Sequence, residues 1–282
     1  MSFDLAVNAA DLDAIAEIFT NIAHDAGAAI MQIYGRDAHA RVKSDQSPVC
    51  DADEAAEAVI LRELALKLPQ IPVVSEEAVA AGKPVAQSPL FILVDPLDGT
   101  REFLARNGEF TINLALIADG VPLAGVVYAP ALDRIWKAGT QSWAARLTAD
   151  APAPTPERWH AIHTRPAPKD GLVALASRSH ADPQTDAYLS RLPIRESRTA
   201  GSSLKFCFIA EGDADVYPRF GPTMEWDTAA GDAVLRKAGG LVETPAREPF
   251  HYGKFDERLK NGAFIAWGDS AVAAAYSGAN SA

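Results

Sequence analysis

Residues 90–103, LFILVDPLDGTREF, decide how the chain is read. Leu90, Phe91, Ile92, Leu93 and Val94 form an unbroken apolar run of strand length, which reads as a strand buried on both faces. Asp95 and Asp98 follow at once, separated only by Pro96 and Leu97. On a regular strand, residues three apart point to opposite faces, so these carboxylates converge only if the chain turns between them. Pro96 keeps Asp95 extended and Gly99 permits left-handed geometry, so a turn is expected here. It would bring both carboxylates, with the Leu97 carbonyl, onto one point. Two bare carboxylates in a partly dry site repel, and one takes up a proton. A divalent cation removes that conflict, and an all-oxygen set suits Mg²⁺ or Mn²⁺ rather than zinc. A bare D-x-x-D is more simply a pair of turn acids; the apolar strand before it and the Gly-Thr after it favour the metal.

Working outward, residues 11–35 carry Ile15, Ile18, Phe19 and Ile22 at helical spacing, with Asp11 as N-cap and Gly35 as stop. A second helix fits residues 51–68, where Ala56, Ile60, Leu64 and Leu68 recur every fourth residue until Pro69. IPVVSEE (71–77) reads as a short strand running into Glu76 and Glu77. Residues 110–130 read as two strands joined at Asp119-Gly120, a favoured tight-turn pair. Residues 150–171, with five prolines, mark either a lobe boundary or a surface excursion. Beyond them, strands (172–177, 214–220, 241–244, 263–268) alternate with helices (202–212, 226–240, 269–278). The pattern is that of mixed α/β layers, with loops at strand ends carrying the chemistry. We expect one compact catalytic unit in two lobes, residues 1–150 with most metal ligands and residues 151–282 with Asp227 and substrate contacts.

At 282 residues the chain has ample core, and 48% hydrophobic with 22% charged residues are globular values. A net charge of −11 argues against nucleic-acid polymers and anionic membranes as partners. A phosphorylated small molecule remains compatible where metal ions or local cations screen the acids. Cys50 and Cys207 make neither a disulfide scaffold nor a four-ligand zinc site, which suits a reducing compartment. The acidic N-terminus has no secretory pattern and no run reaches membrane-spanning length, so a cytoplasmic protein is expected. The oligomeric state is not legible, with a monomer as the default.

Further acids sit at element ends: Glu76 and Glu77 after a strand, Asp227 at a helix start, Asp53 near the start of the second helix. Each has a plainer use as surface charge or N-cap. Together, with no His or Cys cluster, they form a coherent oxygen-ligand set for two metals. VVSEE, ILVDPLDGTREF and EWDTAAGDAV, in that order, resemble the three signatures of the inositol monophosphatase superfamily of Mg²⁺-dependent, lithium-sensitive phosphatases. Within it, KSDQSPVCDAD, RNGEFTINLALI, GVVYAP, ASRSHAD and GSSLKFCFIAEG resemble the CysQ-type 3′(2′),5′-bisphosphate nucleotidases.

The resemblance implies a layered αβαβα sandwich. It implies two or three Mg²⁺ ions, replaceable by Mn²⁺, on the carboxylates of Glu76, Asp95, Asp98 and Asp227 and the Leu97 carbonyl. Asp53 and Thr100 would handle the proton of the attacking water, with Glu76 a further catalytic participant and Glu77 a less certain one. Glu76, Leu97, Asp98, Gly99, Thr100, Ser177, His180, Ser202, Lys205 and Asp227 would contact substrate, with Arg219 a further candidate. Taken alone, Lys205 reads as a snorkelling lysine and His180 as a loop histidine. One departure is visible: Cys50 stands where the family commonly has threonine, putting a local hydrogen bond in question. The implied reaction is hydrolysis of adenosine 3′,5′-bisphosphate (PAP) to AMP, with PAPS to APS as an extension, in sulfate assimilation. The alternative is an inositol- or sugar-phosphate phosphatase using the same metals. A haloacid-dehalogenase reading fits poorly, because D-x-D-G-T has one residue between its acids and this chain has two. A regulatory protein with a degenerate site is disfavoured by the intact acid set. Some CysQ-type proteins are placed on the cytoplasmic side of the inner membrane; with no anchor in this sequence, such attachment here would be peripheral.

Overall fold

The largely apolar stretches 90–94 and 112–117 become neighbouring strands whose odd and even positions feed different layers. The computed structural model describes residues 8–36, 40–42, 48–178 and 182–276. In chain order the first elements are α1 (Ala9–Tyr34), β1 (Ala40–Val42), β2 (Pro48–Cys50), α2 (Asp51–Lys67), β3 (Val73–Ser75) and α3 (Glu76–Ala80). Then come β4 (Leu90–Asp98), α4 (Thr100–Leu104), β5 (Thr111–Ala118), β6 (Val121–Ala129), β7 (Arg134–Ala138), β8 (Ser142–Arg146) and β9 (His160–Ala161). The chain continues through β10 (Leu172–Ser177), α5 (Pro183–Leu189), β11 (Ile194–Ala200), α6 (Leu204–Ala210), β12 (Val216–Arg219) and β13 (Thr223–Met224). It ends with α7 (Ala229–Lys237), β14 (Leu241–Glu243), β15 (Lys260–Asn261), β16 (Phe264–Trp267) and α8 (Ser270–Tyr276).

Two sheets organise these elements. A seven-stranded sheet runs in the order β3-β4-β5-β6-β7-β8-β9, and a five-stranded one in the order β11-β10-β12-β16-β14. Ile92, Val94, Leu114, Leu116 and Val126 pack on one side of the larger sheet against Phe19, Ile22, Ile60 and Leu64 of α1 and α2. Phe91, Leu93, Ala115, Ile117 and Val127 pack on the other side with Phe206 of α6, Val234 of α7, and Val173, Leu175 and Tyr217 of the second sheet. Leu172, Ala174, Val216 and Ile265 face outward onto Tyr188 of α5 and Ala273 of α8. The period-2 alternation of both sheets thus yields α, β, α, β, α layers, the sandwich expected from the sequence. Among the described residues, no helix is long and apolar enough to cross a membrane.

Local signals explain most boundaries. Asp119 and Gly120 both take positive φ, 49° and 79°, as a tight hairpin turn requires. Helix α2 stops at Leu68, just before Pro69. The start of α1 differs from expectation: Asn8, not Asp11, is the N-cap. The Asn8 side chain accepts from Asp11 N and the Asp11 carboxylate accepts from Asn8 N, both at 3.1 Å. Asp11 is the third helical residue of this capping box, and the extra turn lets Ala9 and Ala10 join the helix.

The junction at Asp95 also differs. Strand β4 does not turn between the two aspartates. It continues through Asp98 with a register shift, Asp95 opposite Asn113 and Asp98 opposite Thr111. Pro96 and Leu97 of β4 therefore oppose the single residue Ile112 of β5, which is a β-bulge. The additional residue reverses the parity, so Asp95 and Asp98 share one side while Leu97 stays in the opposite core. A bulge achieves the convergence expected of a turn, and it keeps the strand paired.

Candidate active site

The bulge opens into a cavity of about 180 Å³ whose walls include Glu76, Asp95, Leu97, Asp98, Thr100 and Asp227. Glu76 is the first residue of α3, directly after β3, which pairs in parallel with β4. Asp227 lies two residues before α7 and is not its N-cap, the plainer role its position allowed; Thr228 occupies that place. The Asp227 carboxylate instead accepts from Met224 N at 2.9 Å. One carboxylate oxygen each from Glu76, Asp95 and Asp227 lie within 4.8 Å of one another. Asp98 lines the same cavity, with Asn113 Nδ2 at 3.4 Å from its Oδ2. The Leu97 side chain is in the core, so it is the backbone that reaches the cavity wall.

The electrostatics of this cluster suit a hard cation. Burial, opposed by Lys205 and reinforced by Glu102 and Glu76, pushes the Asp98 carboxyl up to about 6. Burial, with Asp98 and Glu76 adding to it, pushes Asp227 well above the ordinary carboxylate range. Crowded buried acids of this kind are relieved by divalent positive charge, and the donors are all oxygen. Glu76, Asp95 and Asp227 are thus placed to hold a divalent cation, while Asp98 and the Leu97 backbone line the same cavity outside that close group.

Asp53 stands behind the cavity wall, 2% exposed. The Thr100 hydroxyl donates to its Oδ1 at 3.1 Å. Its Oδ2 accepts from Cys50 N at 2.8 Å and from the Cys50 thiol at 3.0 Å. Asp53 thus closes the capping box of α2 with one oxygen and accepts from Thr100 with the other, so the capping role does not exclude a contact toward the cavity. The hydrogen bond questioned at Cys50 is present, with sulfur as donor. Burial, then the Asp53 charge, pushes the Cys50 thiol up to about 12, which keeps it protonated to donate.

A polar wall faces these acids. Ser177 ends β10, Ser202 precedes α6, and Lys205 lies in the first turn of α6; all three line the cavity. Lys205 is 3% exposed, and its ammonium donates to Ser202 O at 2.6 Å and Ala200 O at 3.1 Å. Burial pulls its pKa down to about 8, against the Asp98 charge. Arg219 also lines the cavity and donates to the carbonyls of Gly221 and Pro222 at 3.2 and 2.8 Å. Gly99 takes φ 91°, and a Cβ there would lie 2.2 Å from Ser202 Oγ, so only glycine fits. Glu77 is half-buried in α3 and is not part of the cavity wall. His180 lies outside the described residues.

Several supporting residues escaped the sequence reading. Glu57 of α2 accepts from Ser75 Oγ and from Ala78 N at 3.0 Å, fixing the turn that presents Glu76. Asn113 donates to Ser203 Oγ at 3.0 Å, and Ser203 donates to Asp227 O at 2.6 Å, joining β5 to the Asp227 loop. The available signal was polar Thr111 and Asn113 within an otherwise apolar strand; both are buried. Glu102, Tyr217 and Thr228 also line the cavity.

Comparison with known proteins places the chain in a family. Residues 11–275 match the profile of the inositol monophosphatase family. The 3′(2′),5′-bisphosphate nucleotidase CysQ of Shigella flexneri is 43% identical over 244 residues, 86% of this chain and 95% of that protein. The crystal structure of CysQ from Bacteroides thetaiotaomicron superposes with a TM-score of 0.75 at 36% identity, covering 90% of this chain and 97% of that one. An inositol monophosphatase from Anabaena, at 22% identity and a TM-score of 0.70 over 92% of each chain, shares the fold.

Proposed function

The chain belongs to the inositol monophosphatase family, and from that premise we infer that it is a metal-dependent 3′(2′),5′-bisphosphate nucleotidase. It hydrolyses the 3′-phosphate of adenosine 3′,5′-bisphosphate, leaving AMP and inorganic phosphate. The 5′-phosphosulfate analogue, PAPS to APS, is a further substrate of the same kind, and the setting is nucleotide recycling during sulfate assimilation. The observation that carries the reading is the meeting of Glu76, Asp95 and Asp227 in one cavity with the buried ammonium of Lys205.

Glu76, Asp95, Asp98, Asp227 and the Leu97 carbonyl would hold two or three Mg²⁺ ions, with Mn²⁺ as a substitute. Bound there, such ions supply positive charge to the phosphoryl oxygens and acidify water. The protein's own groups supply the proton path. Thr100 Oγ1 accepts a proton from the attacking water as it passes its own to Asp53 Oδ1, 3.1 Å away. The two Cys50 donors on Asp53 Oδ2 hold that carboxylate in place. Water's oxygen bonds to phosphorus as the bond to the ribose 3′ oxygen breaks; the departing oxygen takes a proton from solvent water, and Asp53 returns the relayed proton to solvent, so no net proton is gained or lost. Lys205 and Arg219 provide charge for the second phosphate. Ser177 and Ser202 add hydroxyls on that wall, and Gly99 lets the backbone approach.

A phosphate-release panel over nucleotide bisphosphates, inositol phosphates and sugar phosphates, with and without Mg²⁺, tests this. Mg²⁺-dependent release that is fastest from adenosine 3′,5′-bisphosphate supports it; faster turnover of inositol 1-phosphate overturns it.

A further inference from the structure

The Lys205 ammonium is aimed by two backbone carbonyls, Ala200 O and Ser202 O, which bracket Gly201. That three-residue segment is held by a loop residue that leads into the seven-stranded sheet. Glu109, two residues before β5, accepts from Gly201 N through Oε2 at 2.8 Å and from Ser202 Oγ through its backbone carbonyl at 2.8 Å. The Ser202 hydroxyl also reaches Asp98 O at 2.8 Å, so its single proton is shared by two carbonyls. Space around the segment is exhausted: a Cβ on Gly201 would lie 2.6 Å from Glu109 O, and Ser202 is forced to φ 46°. The same Glu109 carboxylate takes a bidentate ion pair from Arg178, at 2.7 and 2.8 Å. Arg178 directly follows Ser177 of the cavity wall. One half-buried carboxylate therefore ties together the end of β10, the loop before α6 and the loop before β5.

We propose that Glu109 is the positioning residue that fixes Lys205 for the substrate's second anionic group. This rests on the bisphosphate reading above. Glu109 touches no substrate; it acts by holding the carbonyls that aim the ammonium. Arg178 serves to neutralise and orient Glu109, which is why a carboxylate rather than an amide occupies this place.

The test compares kcat/KM for adenosine 3′,5′-bisphosphate and adenosine 3′-monophosphate, with a thermal melt on each variant. Glu109→Ala lowers the bisphosphate value about tenfold more than the monophosphate value, chiefly through KM. Glu109→Gln keeps an acceptor for Gly201 N and recovers part of that selectivity. Lys205→Met shows the same selective loss, and adding Glu109→Ala to it removes little more. Equal losses on both substrates, or independent losses in the double variant, overturn the proposal. A crystal structure of Glu109→Ala with Lys205 still bonded to Ala200 O and Ser202 O overturns it whatever the substrate. Wild-type protein that turns over neither nucleotide refutes the functional reading instead, and that crystal structure still decides the role of Glu109.

Discussion

Replacing Thr100 with valine removes one hydroxyl and preserves the side chain's shape. The main lost contact is the 3.1 Å donation to Asp53 Oδ1, beside a longer 3.5 Å approach to Leu97 O. Asp53 Oδ2 keeps both Cys50 donors, so the carboxylate stays anchored and α2 stays capped. A hydrogen bond to a charged acceptor contributes about 1.5–3 kcal/mol, so the fold survives with a modest fall in stability. Catalysis suffers more, because the proton path from water to Asp53 is cut. Positioned proton transfer contributes on the order of 100-fold or more, so kcat falls about 100-fold, equivalent to ~2.7 kcal/mol of barrier. The assay is steady-state phosphate release at saturating nucleotide and Mg²⁺, beside urea unfolding of the same samples. Thr100→Ser restores the hydroxyl and most of the rate. Asp53→Asn is similarly slow, and the double variant is no slower than Asp53→Asn alone, because one path can be cut only once. A Thr100→Val enzyme within about threefold of wild type, or losses that multiply in the double variant, refutes the relay.

Cys50→Ser keeps a donor to Asp53 Oδ2 and retains near-wild-type kcat, whereas Cys50→Ala removes it and lowers both kcat and the melting temperature; equal rates for the two would deny the thiol its role. Gly99→Ala places a Cβ 2.2 Å from Ser202 Oγ at φ 91°, so unfolding free energy falls by about 2–3 kcal/mol, measured in urea. Arg236→Met removes the charge paired with the Asp232 carboxylate, which is 0% exposed and held by Arg236 Nε at 2.6 Å, leaving it the neutral Tyr252 hydroxyl at 3.0 Å, and destabilises by about 3 kcal/mol in the same assay. In chelator, raising the pH through about 6 ionises Asp98 in the folded state, whereas the unfolded side chain ionises near its ordinary lower value. The folded state then holds the extra proton below that pH, so stability drops as pH rises, and Asp98→Asn flattens this part of the profile of melting temperature against pH.

The two central strands and their burial on both faces were legible because Leu90–Val94 and residues 112–117 are apolar at nearly every position. The cavity acids were legible from their positions, since Glu76, Asp95 and Asp98 follow apolar strands and Asp227 precedes a helix. The bulge was not: Pro96 and Gly99 signal a break, but only the pairing with Asn113 and Thr111 shows it to be an inserted residue. Strand β11 carries the residues IRESRTA, mostly exposed at a sheet edge, and offers no alternation to read. Asn8 was hidden by Asp11, because both members of a capping box are good caps. Glu57, Asn113, Ser203 and Glu109 act across distances of 18 to 92 residues in sequence, so their partners exist only once the layers have stacked.

On the proposed reading, acids from α3, the β4 bulge and the Asp227 loop hold divalent cations together. Anomalous diffraction from crystals grown with Mn²⁺ addresses it directly. The expected result is a peak between Glu76, Asp95 and Asp227 at about 2.0–2.3 Å from their oxygens, with the Leu97 carbonyl as a further ligand. Density without such a peak at saturating Mn²⁺, or manganese bound only elsewhere on the surface, would contradict it.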